Sequence, residues 1–238
     1  AVERVDRGPY REVRWTKDDL RELEYASLLH DFGKIGVREE VLVKAKKLFS
    51  HQLETIRLRF DFAIRSLEAD ILRRKLHMLE KGAQVGELAA LDEEYVARKA
   101  EYEGSLAAII SANEPTVMKG GDFARIEAIA RETYSGLDGV ACSLLTADEA
   151  KCLCIARGTL TPTEIDEIRS HVTHTFEFLS QIPWGKQFRR VALIASAHHE
   201  RLNGTGYPHR LHAEEAAVPE AAAHGQHRHT LEFQHAVL

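Results

Sequence analysis

The chain has 238 residues, enough for one substantial domain or one domain carrying a large insertion. Hydrophobic residues make up 44% and charged residues 29%, the profile of a globular protein in water, and the net charge of −5 argues against a basic nucleic-acid-binding face. No apolar run approaches the roughly 20 residues of a membrane span, and the charged start AVERVDRGPY is not a signal peptide, so a cytoplasmic location is expected.

The chain begins without Met and is expected to be a piece of a longer protein. Its cysteines are Cys142, Cys152 and Cys154. That sparse, odd set suits a reducing compartment, and Cys152-x-Cys154 lacks the second pair a zinc site needs.

TKDDLRELEYASLLHDFGKIG predicts a first helix. Thr16 is the expected N-cap, Asp18 and Asp19 suit the positive helix end, and Gly33 is the expected terminator. His30 and Asp31 fall in its last turn. From about Lys44 to Pro115, Leu53, Ile56, Phe60, Ala63, Leu67 and Ile71 recur at three- and four-residue steps between charged residues, predicting a long amphipathic helix. Gly82 and Gly86 interrupt it. A second helix from Leu88 to Asn113 completes the simplest arrangement, an antiparallel hairpin. His51 and His77 belong to this arm as solvated or packing residues.

EPTVMKGGDF is a breaker-rich joint, followed by a helix in GDFARIEAIARETY. GTLTPTEIDEIRSHVTHTFEFLSQI opens with Thr161, Pro162 and Glu164, a helix start, and carries the stripe Ile165, Ile168, Val172, Phe176, Leu179. FRRVALIASAHHERLNGTGYP reads as a short apolar helix ending near His199, then a turn in which Gly204 and Gly206 permit tight geometry and place Tyr207 and Pro208 at a rim. No convincing alternating strand is present. The expected fold is all-α.

His30, Asp31, His171, His198 and His199 are the residues with chemistry to offer. Imidazole plus carboxylate, without thiolate, suits Mn, Fe, Co, Ni or Zn. Neighbouring residues in mid-helix point roughly 100° apart, so a doublet chelates better at a frayed helix end or beside two ions. Two doublets suggest a two-metal site with ions about 3.5–4 Å apart.

LLHDFGKIG resembles the HD motif of the HD superfamily of metal-dependent phosphohydrolases. HHERLNGTGYP is similar to the second signature of its HD-GYP subfamily, and the segment from Gly158 to Trp184 resembles the stretch bearing a lone ligand histidine. The resemblance covers roughly residues 20–44 and 158–215. It implies an HD-type helical bundle over 1–44 and 158–215, interrupted by a coiled-coil-like insertion over 45–157, with a divergent or disordered tail over 216–238. The subfamily comprises bacterial signalling phosphodiesterases that hydrolyse cyclic di-GMP to pGpG or GMP. By motif, His30, Asp31, His171, His198 and His199 would hold metal, with two ions, Fe or Mn, expected. Asp31 and Lys34 would be catalytic, Asp31 bridging the ions and Lys34 lying beside the scissile phosphate. Lys34, Arg201, Gly204, Gly206, Tyr207 and Pro208 would meet substrate, and the last loop is associated with contacts to diguanylate cyclase domains. A homodimer through the arm is a further expected partner.

The chain departs from the family pattern at three points. No histidine precedes His30, no aspartate follows Asp166, and Arg210 replaces a glycine after Tyr-Pro-x. Counting places His227 or His229 near the position of the family's closing aspartate, and the composition change after about Glu215 resembles a shifted reading frame. These departures keep open a non-catalytic module that binds nucleotide or a cyclase partner.

Overall fold

The computed structural model describes residues 15–117, 120–201 and 203–212. The tail read from residue 216 onward, with His227 and His229, lies outside the described residues. The elements in order are α1 (Lys17–Leu29), a 3₁₀ turn (Phe32–Gly36), α2 (Glu39–Leu42), α3 (Ser50–Glu80), a second 3₁₀ turn (Val85–Leu88), α4 (Ala89–Ala112), α5 (Gly120–Arg131), β1 (Thr133–Ser135), β2 (Ala141–Ser143), α6 (Ala147–Leu153), α7 (Pro162–Arg169), α8 (His171–Ser180), a third 3₁₀ turn (Lys186–Phe188) and α9 (Val191–Ser196). The molecule is mostly helical. No helix among the described residues is long and apolar enough to cross a membrane.

Two sequence expectations need correction. Thr133–Ser135 and Ala141–Ser143 form an antiparallel two-stranded hairpin. Strands of three residues are too short to show alternation. The helix expected from Thr161 onward is divided at Ser170 into α7 and α8, and Ile165 and Phe176 of its stripe are exposed, whereas Val172 and Leu179 are buried.

The described residues divide into two compact units, one built from residues 15–42 and from the described part of 162–212, the other from the described part of 43–161. In the second, Ile56, Phe60, Ala63 and Ile71 put one side of α3 in the interior. Phe60 meets Tyr102 of α4 edge-on, and Arg74–Glu94 and Lys75–Asp92 pairs close the far end, so the two helices run antiparallel. Ile109, Ile126 and Leu153 extend this core from α4, α5 and α6, and Leu144 joins it directly after β2.

In the first unit, α1 and α9 share a core of Leu23, Ala26, Val191, Ile194 and Ala195, joined by Leu179 from α8. Thr16 caps α1 through a reciprocal box with Asp19, the hydroxyl accepting from Asp19 N–H at 3.1 Å while the carboxylate accepts from Thr16 N–H at 3.0 Å. Glu22, only 2% exposed, accepts from the Arg190 backbone N–H at 2.5 Å and from its guanidinium at 2.6 Å. Arg190 also reaches Asp19 at 2.5 Å. Burial acts to raise the Asp19 pKa, but bonds from Thr16 and Arg190 outweigh it and hold the carboxyl below its usual value. This charged clamp fixes α1 against the start of α9, the two helices that carry the histidine doublets.

Candidate metal centre

The ends of α1 and α9 and the start of α8 meet at one locus. His30 caps the C-terminus of α1, and Asp31 follows at φ −97°, ψ 5°, already outside helical geometry. The helix axis therefore no longer separates their side chains. The second doublet uses the same device: α9 stops at Ser196, Ala197 sits at φ −99°, ψ 3°, and His198 and His199 follow. His171 enters from the first residue of α8.

At each of three histidines, Nδ1 lies against the backbone carbonyl three residues earlier. His30 meets Ser27 O at 2.7 Å, His171 meets Ile168 O at 2.5 Å, and His198 meets Ala195 O at 2.7 Å. A carbonyl only accepts, so Nδ1 donates, and the neutral ring keeps its lone pair on Nε2. These bonds use helix-end carbonyls that lack intrahelical partners.

The free Nε2 atoms surround Asp31. His171 Nε2 is 3.4 Å and His198 Nε2 3.7 Å from Oδ1, while His30 Nε2 is 3.3 Å from Oδ2. His171 and His198 Nε2 are 3.1 Å apart. Two lone pairs at that distance repel unless a proton or metal cation stands between them. Metal–ligand bonds of about 2.0–2.2 Å place neighbouring donors roughly 3–3.5 Å apart, so the donor set fits a divalent ion. Two overlapping triads have donor atoms within 4.8 Å of one another, His171–His198–His199 and His30–Asp31–His198.

The centre grades from closed to open. His171 is buried, whereas His30 and Asp31 are 41% and 38% exposed in their side chains. Burial, reinforced by the neighbouring imidazoles, pushes the His198 pKa down to about 4. Burial likewise lowers His199. At Asp31 burial acts upward, but the hydrogen bond and charge of Lys34, with His30 and His198 alongside, outweigh it, and the net shift is down.

Lys34 Nζ lies 2.6 Å from Asp31 Oδ2. Gly33 is not a left-handed terminator; a Cβ there would stand 2.0 Å from His171 O and 2.5 Å from Thr175 N, so glycine permits the 3₁₀ turn to touch α8. Thr175, one turn beyond His171, accepts from Gly33 N–H at 2.9 Å and donates to His30 O at 3.0 Å.

The loop residues lie alongside. Tyr207 stacks on His199 with centroids 4.6 Å apart, and the Arg169 guanidinium sits 5.4 Å over the Tyr207 ring. Burial pushes the Tyr207 phenol upward. A Cβ on Gly206 would lie 2.4 Å from Arg201 N, which is why the chain is glycine there. Gly204 has φ 71°, the Tyr207–Pro208 peptide is cis, and Arg201 is exposed. Glu200, almost fully buried, accepts from the backbone N–H groups of His209, Arg210 and Leu211 at 2.5, 3.2 and 3.0 Å, anchoring the loop. Sequence reasoning passed over Glu200, Thr175 and Arg169. Glu200 had a signal, its place directly after the histidine pair.

A helical unit whose helix ends gather imidazoles around one carboxylate defines a metal-binding class of protein. Residues 147–220 match the family model described as HD domain, a stretch holding His171, His198 and His199 but not His30 and Asp31. The match supports an HD-superfamily metal-dependent phosphohydrolase. No curated protein and no solved structure matches the chain.

Proposed function

We propose that this chain is a metal-dependent phosphodiesterase of HD-GYP type that hydrolyses cyclic di-GMP. One observation carries the hydrolytic reading: three Nε2 lone pairs, each fixed by a backbone bond on the other ring nitrogen, converge on Asp31. Cyclic di-GMP as substrate rests on the HHERLNGTGYP resemblance. His171, His198 and Asp31 Oδ1 would hold the tighter ion, with His199 at its edge. His30 and Asp31 Oδ2 would hold a second one more weakly, because His198 has a single free lone pair and cannot serve both. Bound divalent metal supplies Lewis acidity, easing deprotonation of water and offsetting charge on phosphoryl oxygens.

The chain's own groups do the rest. Asp31 orients the cluster through both oxygens, and partly exposed Lys34 exchanges its Asp31 partner for a phosphate oxygen. Tyr207, stacked on His199 with Arg169 over its ring, would turn its ring edge and hydroxyl toward substrate at the rim. Arg201 is exposed on the same loop for a phosphate or base edge.

Hydrolysis of cyclic di-GMP by protein loaded with Mn(II) or Fe(II), followed by chromatography of pGpG and GMP, tests this. Asp31→Ala and His171→Ala should each lower turnover at least about 100-fold. Turnover surviving both changes ends the reading. The weak second donor set favours one alternative, a degenerate module that binds cyclic di-GMP or a diguanylate cyclase domain; binding without turnover at full metal loading would establish it.

A further inference from the structure

α3 is apolar on two opposite sides. Opposite the face that packs on the core, Leu58, Leu72, Leu76 and Leu79 are 67, 58, 58 and 45% exposed. Half-buried Ala69 continues the row, as does half-buried Phe62, whose ring also meets Tyr134 of β1 edge-on with centroids 5.7 Å apart. Single exposed leucines are ordinary, but these six residues fall on the a and d positions of one heptad register, with Arg65 at the d position between Phe62 and Ala69. Phe62, Ala69 and Leu76 take the a positions; Leu58, Leu72 and Leu79 take d positions. Leu58 to Leu79 spans about 32 Å at 1.5 Å per residue.

We propose that this outer face of α3 is a self-association seam through which two copies of the chain pair in parallel and in register. The flanking charges select that partner. In a parallel coil each g residue meets the e residue five positions on in the other helix. In register, Glu68 meets Arg73 of the second copy, and Lys75 meets Glu80 of the second copy. Sliding one helix by a heptad sets Glu68 against Glu80, or Lys75 against Arg73, both repulsive. Lys75 already reaches Asp92 of its own chain at 2.5 Å, but an ammonium has three donors and can serve both. Arg65 occupies the remaining d position, 79% exposed and paired with Glu68 at 2.6 Å. It places one polar layer in the seam, which costs affinity and helps fix alignment. A two-fold pair uses the same patch on both copies, as a seam complementary to itself requires.

Sedimentation equilibrium of the full chain tests the seam. The parent should show a monomer–dimer equilibrium. Leu72→Glu combined with Leu76→Glu should raise the dissociation constant at least about 100-fold while the helical circular dichroism stays unchanged. Leu76→Cys should form an interchain disulfide on mild oxidation, scored against the parent with its three native thiols, because the seam sets this position opposite itself. A parent that stays monomeric overturns the proposal, as does a double glutamate variant that dimerises as tightly as the parent. A dimer that Leu76→Cys fails to cross-link overturns the parallel register. A monomer that sediments with anionic vesicles through these leucines assigns the face to lipid instead.

Discussion

His171 and His198 bring their Nε2 atoms within 3.1 Å of each other, with Asp31 Oδ1 beside both. Two lone pairs at that distance repel unless a proton or a metal ion stands between them, and a divalent ion satisfies both nitrogens and the carboxylate at once, so metal binding should stabilise the fold. At a metal concentration of 100 Kd the linkage gain is about 2.7 kcal/mol. With about 2–4 °C per kcal/mol for a chain of this size, Mn(II) should raise the melting temperature by roughly 5–10 °C. Scanning calorimetry with metal and with chelator checks this, and His171→Ala should remove most of the difference.

The metal-free protein should lose stability in weak acid. His198 has a folded pKa of about 4 against an ordinary 6.5. Between those values the unfolded chain binds the extra proton and the folded chain does not, so stability rises with pH across that window. It is complete above about 6.5 and falls as pH drops toward 4. Urea midpoints of the chelated protein at pH 5 and pH 7 should show the difference, and His198→Asn should shrink it.

Glu22 and Arg190 should matter well beyond their immediate surroundings. Glu22 is 2% exposed and takes two hydrogen bonds from Arg190. Glu22→Ala removes a buried acceptor of two bonds while Arg190 keeps Asp19, a loss of about 1–3 kcal/mol. Because the clamp joins α1 to the start of α9, metal affinity should fall as well, although neither residue touches the centre. Urea unfolding and titration with Mn(II) measure the two effects.

The helices and the chemistry-bearing residues were legible, since capping residues, apolar spacing and adjacent ligands are local signals. Thr16 with Asp19 announces α1, and the histidine doublets announce themselves at helix ends. Convergence was not legible from spacing. His30 and His171 are far apart in the chain and meet through Thr175, while the Glu22–Arg190 clamp brings in the His198–His199 pair, and these contacts carry no periodic signature. The break at Ser170 was hidden because Ser170 keeps helical angles, φ −62° and ψ −17°. The hairpin of β1 and β2 was hidden by its length.

Gly33 should tolerate no side chain. The Cβ of Gly33→Ala would meet His171 O at 2.0 Å and Thr175 N at 2.5 Å, both backbone atoms of α8. The 3₁₀ turn must then retreat, carrying Asp31 and Lys34 with it. Overpacking of this kind costs about 1–3 kcal/mol. Metal affinity and turnover should drop together, whereas Gly86→Ala, with open space at its Cβ, should change neither.

Arg210 supplies a substitution that should gain stability. It occupies the place where the resembled family has glycine, and its φ is 56°, in the left-handed region. The backbone turn has been kept although the residue that favours it has not. The Glu200 carboxylate, accepting from the N–H groups of His209, Arg210 and Leu211, holds the loop in that conformation. A non-glycine residue there costs about 1–2 kcal/mol, and glycine's extra freedom in the unfolded chain returns about 0.4–1 kcal/mol of that. Arg210→Gly should therefore stabilise by roughly 0.5–1 kcal/mol in urea unfolding. Glu200→Gln should do the opposite, weakening the three-bond anchor and raising KM for a phosphodiester while leaving metal content near that of the parent. If Glu200→Gln instead strips the metal, the loop and the histidine pair are one mechanical piece, and the anchor acts on the centre as well as on the rim.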